Sequence, residues 1–192
     1  MRFIFVCCVA IVLLGSTVSK SEAISYPFDK TEMTNAITYG TSVTRDQLLS
    51  APEWKVKCSS SPYGIDLTVF TPFFESAFAA NVAKAKFDDP LKAANEFKDE
   101  KTVKFLILVR NASISANSDP AVVVKTTNGI IHADKVEVGR LNPDADYFHR
   151  SITATFAASK LPKQMPFTLA VGNIEDQNRT ELDYIVDLSM IR

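Results

Sequence analysis

Histidine, glycine and cysteine are scarce in this chain, which holds two, six and three of them among 192 residues. Each shortage removes a class of chemistry. With His132 and His149 as the only imidazoles, a histidine acid–base or metal mechanism must use one of these two. The glycines form no phosphate-cradling loop, dinucleotide fingerprint or Gly-x-Ser-x-Gly elbow, and the cysteines show no zinc-type spacing. An excess of one charge is missing too. The 21 Lys and Arg oppose 22 Asp and Glu with no block of like sign, so the chain carries no electrostatic footprint for nucleic acid or an anionic membrane.

A membrane-spanning run is also lacking. The leading apolar stretch, residues 3–14, falls short of the roughly 20 residues a bilayer-spanning helix needs. Arg2 precedes it and small or polar residues follow to Ala23, which is the three-part pattern of a cleavable secretory signal. Ser21 and Ala23 offer the small residues that signal peptidase accepts, placing the cut before Ile24, with Thr17 and Ser19 as a second candidate. Cys7 and Cys8 lie inside the apolar run, too close to the start for lipid attachment.

Cleavage removes both of those cysteines and leaves Cys58 without an intramolecular partner, so the mature domain must be held by its core. Losing Arg2, Lys20 and Glu22 moves the net charge from −1 to −2. The expectation is a signal peptide over residues 1–23 and one globular domain over residues 24–192, periplasmic or secreted, with no transmembrane segment in the mature chain. The triplets at Asn111 and Asn178 fit glycosylation sequons, which matter only in a eukaryotic secretory path.

What is present is mostly pattern. Asp29 to Glu32 and Thr44 to Gln47 read as capping boxes, and each opens a short helix, the first ending at Gly40. From Glu53 the period becomes two, with Trp54, Val56 and Cys58 on one face of a strand. Ile65, Leu67 and Val69 continue as a second strand paired with it. Thr71-Pro72 starts a helix whose apolar stripe is Phe74, Ala77, Phe78, Val82 and Ala85. Asp89-Pro90 starts another, with Leu91, Ala94 and Phe97 inward.

The rest reads as strands. Residues 105–109 form an unbroken apolar run suited to a central strand, and residues 121–126 and 129–134 flank the hairpin signal Asn128-Gly129. Residues 136–141, 151–157, 167–172 and 180–191 complete the series, the last with Leu182, Tyr184, Val186, Leu188 and Met190 on one face. The fold class is α+β: mainly an antiparallel β-sandwich of immunoglobulin-like character, about eight strands, with two helices inserted before the C-terminal strand series.

Two places hold candidate chemistry. Asn142, Asp144, Asp146 and His149 put oxygen and imidazole groups at close spacing in a loop, as in the opening of a Ca2+ loop. Tyr147 stands where glycine should turn the chain and Thr153 where glutamate should close it, so an ordinary turn explains the residues equally. The second place is aromatic. Phe73, Phe74 and Phe78 suggest a groove between helix and sheet for an apolar small molecule or a protein partner. His132 and Asp134 share a strand face, and Cys58, opposite Lys57, reads as an inert buried thiol. No catalytic residue and no obligatory cofactor is assigned. The function expected is an exported, non-catalytic binding module, and the alternative is a metal-dependent or carboxylate/His hydrolase built on the 142–149 loop.

Overall fold

The computed structural model describes residues 28–58, 67–110, 120–139, 142–143, 148–163, 165–176 and 179–191. The fold is α+β, with N-terminal helices and two antiparallel sheets. Helix α1, Lys30–Ser42, begins at a complete capping box. The Asp29 side chain accepts from the Glu32 amide at 2.8 Å and Glu32 accepts from the Asp29 amide at 3.1 Å. Helix α2, Arg45–Ser50, repeats the device with Thr44 and Gln47. Both capping boxes expected from the sequence are therefore formed.

The predicted strand over residues 53–58 is shorter than its alternation implied. Pro52–Trp54 winds as one 3-10 turn, because proline at its first position favours it, and only Lys55–Val56 is strand β1. It pairs antiparallel with β2, Leu67–Phe70, as expected. Helix α3, Pro72–Ala85, is capped by the Thr71 hydroxyl, which accepts from the Phe74 amide at 3.2 Å, and α4 follows as Pro90–Asn95.

The buried face of α3 is rotated from the predicted stripe. Phe73, Phe74, Ala77, Ala80 and Ala83 are buried, whereas Phe78 and Val82 are half-buried and Ala85 is exposed. The cause lies in α1, which packs along α3 so closely that a Cβ on Gly40 would sit 2.0 Å from the Ala77 carbonyl oxygen. The small residues of α3 therefore face α1. Asn81, also buried, donates its amide hydrogens to the carbonyls of Gly40 at 2.7 Å and Val43 at 2.8 Å, and Lys84 donates to Thr41. The last carbonyls of α1, which have no helical partner of their own, are thus satisfied from α3.

Strands β3, Thr102–Arg110, β4, Ala121–Thr126, β5, Gly129–His132, β6, Lys135–Val138, β7, Asn142–Pro143, β8, Phe148–Ala157, β9, Phe167–Asp176, and β10, Arg179–Val186, follow. The first sheet runs β1-β2-β3-β8-β6, with β7 also paired to β8, and the second runs β10-β9-β4-β5. Alternate residues Val103, Phe105, Ile107 and Val109 on β3 join Ile152, Ala154 and Phe156 on β8 in one buried cluster. Val122, Val124, Leu169, Val171, Tyr184 and Val186 of the second sheet belong to the same cluster. Phe105 spans the two sheets, meeting Phe156 edge-on at 5.6 Å and Phe167 at 6.4 Å.

Two strand readings are corrected. Residues from Val136 onward continue the hairpin in sequence but change sheets: β6 pairs with β8. The Ala133 amide donates to Val122 in the second sheet, and the next amide, Asp134, donates to Thr155 in the first. The C-terminal strand ends at Val186, where the Asp187 carboxylate accepts from the Ser189 amide and hydroxyl and turns the chain. Leu188 is still buried after the turn, but Met190 is 65% exposed rather than inward.

The α1–α3 contact sets the position of everything that α3 carries. Gly40→Ala should cost about 1–3 kcal/mol, as expected when a methyl group is forced against rigid backbone. Urea denaturation measures this, and an unchanged midpoint would show that the helices do not pack so closely.

Candidate functional site

Of the three phenylalanines expected to line a groove, Phe73 and Phe74 are buried at 2% and 1% exposure. Both rings meet Trp54, at centroid distances of 6.2 and 5.0 Å. Phe78 is different. It stacks on Phe74 at 6.1 Å, lies under the Arg45 guanidinium at 5.5 Å, and reaches a groove of about 680 Å³. That groove runs between α3 and α4 rather than between helix and sheet. Phe78, Val82 and Phe97 supply its apolar surface. Lys86, Asp88, Asp89, Lys92 and Glu96 place both signs of charge along it.

The groove exists because α3 stops abruptly. The Phe87 amide donates to Lys84 at 3.1 Å and the Asp88 amide to Ala83 at 2.9 Å, the paired bonds of a Schellman ending. Such an ending needs a left-handed residue, and Phe87 supplies it at φ 61°. Glycine is the usual choice, since a side chain there costs roughly 1–2 kcal/mol. Asp89 then caps α4 at once, its carboxylate accepting from Leu91 at 2.9 Å and Lys92 at 3.3 Å. The short turn leaves Phe87 96% exposed and Leu91 54% exposed. Leu91, read from sequence as inward, faces solvent because only Ala94 of this six-residue helix is buried.

The 142–149 loop lies largely outside the described residues: Asp144 and Asp146 are not among them, and only the backbone of Asn142 and His149 is. Those two backbones are Cα partners across the β7–β8 pair, as in a hairpin. Among the described residues no group of three or more His, Cys, Asp or Glu is gathered as for a metal ion. No helix among them is long and apolar enough to cross a membrane.

His132 is exposed. Asp134 turns to other partners, accepting from the Ala157 amide at 2.7 Å and from Lys160. The Lys160 hydrogen bond and then the Ala157 amide hold its carboxyl below the usual carboxylate range. Cys58 is half-buried and donates its thiol to the Asp183 carbonyl at 3.6 Å, where the chain bridges to Tyr184 of β10.

One further charged group stands out. Glu75, in the first turn of α3, accepts from Lys104 of β3 at 2.6 Å, and its second oxygen finds no partner among the described residues. Burial pushes its carboxyl above the ordinary value, Lys104 pulls the other way, and Glu100 adds a smaller upward push. No protein-family model, curated protein or solved structure matches this chain.

The raised carboxyl of Glu75 gives a definite sign. The folded state holds this proton more tightly than the unfolded chain, so the associated stability is full below the ordinary value of 4.5 and is lost as pH rises through the folded value. Replacing the group by Glu75→Gln removes the titration. The stability of the native protein minus that of the variant should fall as pH rises above the ordinary value of 4.5, read from urea midpoints, and a rise would mean that Lys104 outweighs burial.

Proposed function

We propose that this chain is exported and acts as a non-catalytic binding module, an immunoglobulin-like β-sandwich whose two N-terminal-side helices, α3 and α4, carry the binding face. The observation behind this reading is Phe87, which is 96% exposed and held in a left-handed conformation beside a groove of mixed apolar and charged lining. Strain and an exposed aromatic ring at one position cost stability and solubility together, and binding is a use that offsets both. Among the described residues the groove lining holds no histidine, serine or cysteine, which supports binding over nucleophilic or imidazole chemistry.

A protein partner fits better than an apolar small molecule. Small ligands are usually enclosed over most of their surface, whereas this groove opens between two helices beside exposed Lys86, Asp88 and Asp89. An aromatic anchor beside a groove with a charged border is the common anatomy of protein interfaces. The sandwich reading rests on one buried cluster shared by the inner faces of both sheets.

Export is checked by mass spectrometry of the protein recovered from its native host. The mature terminus should be Ile24, and recovery of the chain with its first residues intact would overturn the export reading. For the binding face, a photo-cross-linking amino acid placed at Leu91 and irradiated in cells should form protein adducts. The same group at Ile130, a site 62% exposed on β5, serves as the control. Equal labelling from both positions would remove the groove as an interface.

A further inference from the structure

We infer that the partner on this face is a second copy of the same chain, with Phe87 of each copy seated in the α3–α4 groove of the other. The inference rests on the binding face described above and names its occupant. Three features of the face lead to it. The knob and the groove are adjacent on one molecule: Lys86 and Asp88, the neighbours of Phe87 in sequence, both line the groove, while the Phe87 ring is 96% exposed and so lies outside its own groove. A two-fold axis beside the turn would exchange the two rings, and a surface carrying both a knob and its receptor is self-complementary in the way such axes require.

Charge points the same way. Lys86 and Lys92 share the groove with Asp88, Asp89 and Glu96, a nearly balanced set that gives no strong attraction for a partner of one sign. Rotated onto itself by a two-fold axis, the set can place lysines against carboxylates in both halves of the contact. A cationic partner would leave the two lysines facing like charge, and an anionic one the three carboxylates.

Size sets the strength. The face offers two exposed apolar anchors, Phe87 and Leu91, and a groove bounded by two helices, one of them only six residues long. Stable interfaces bury about 800 Å² on each partner and use about 20–30 residues a side. Two anchors and a six-residue helix favour the weak, reversible end of that scale, with an expected dissociation constant on the order of micromolar.

The decisive variant is Phe87→Gly, because glycine accepts the left-handed conformation without strain. It removes the knob while making the fold easier to hold, so lost association cannot be blamed on lost folding. Sedimentation velocity of the purified protein from about 1 to about 500 µM, a range that brackets micromolar affinity, should show monomer passing to dimer. In Phe87→Gly the dimer should weaken at least about tenfold, as for removal of an interface anchor, with an unchanged or higher melting temperature at the lowest concentration. Lys92→Glu should weaken the dimer by a smaller factor without altering that temperature.

A protein that stays monomeric throughout, or a Phe87→Gly variant that dimerises as the parent does, overturns the inference. The binding face and its occupant are separable in this scheme. A monomeric protein whose Leu91 probe captures a different chain loses the self-association and keeps the binding face; a monomeric protein with no adducts loses both.

Discussion

The burial of Trp54 is the contact on which the relation of helices to sheets depends. Its ring is fully enclosed, touched by Tyr39 of α1 and by Phe73 and Phe74 at the start of α3. Trp54 itself sits one residue before β1, the edge strand of the first sheet. A single side chain thus fixes α1 and α3 against the same sheet edge. Aromatic groups of this size dominate core energetics, and full burial of each large apolar side chain contributes about 1.5–3 kcal/mol. Phe74 carries the contact outward to Phe70 of β2 and to Phe78, so the half-buried ring at the groove is the outer end of a chain of rings that begins in the core.

Sheet edges pose the opposite problem, since unpaired backbone groups invite association. Here both lateral edges are tied across the two sheets. On one side the chain itself passes from β5 to β6, and the Asp134 carboxylate holds the corner through the Ala157 amide and Lys160. On the other, Cys58 bridges from the end of β1 to Tyr184 of β10. Exposed apolar side chains remain on the strands, at Ile130 and Ile185, as well as at the α3–α4 turn, where Phe87 is the most exposed of them.

The legible parts of the sequence were those set by local chemistry. The capping boxes at Asp29 and Thr44, the hydroxyl cap at Thr71 and the Asp89-Pro90 start all depend on a few adjacent residues, and each helix begins where its cap stands. The alternation of Leu182, Tyr184 and Val186 was likewise enough to place a strand face. What could not be read depended on distant partners. The change of sheet after Ala133 requires β8 to be present, and the buried face of α3 follows from Gly40 meeting Ala77. Phe74 does stack on Phe78, but Phe73 turns with Phe74 to the buried Trp54, a partner that helix periodicity does not reveal. Asn81 gave no signal in sequence, because its role is to satisfy carbonyls thirty-eight and forty-one positions away. Phe87 carried only a weak one: Asp89-Pro90 marks a new helix start, so α3 must stop just before it, and a left-handed residue is one common way of making such a stop.

That residue gives the helical face its meaning. The ending of α3 could be made by glycine at lower cost, and the chain that makes sparing use of glycine places it elsewhere at a point of real need, at Gly40, where any side chain would collide. At position 87 space is not limiting, since the residue stands almost entirely in solvent. Folding therefore accounts for the turn but not for the ring. A residue that adds strain to the backbone and apolar area to the surface, beside the α3–α4 groove, is the feature on which the proposed binding face rests.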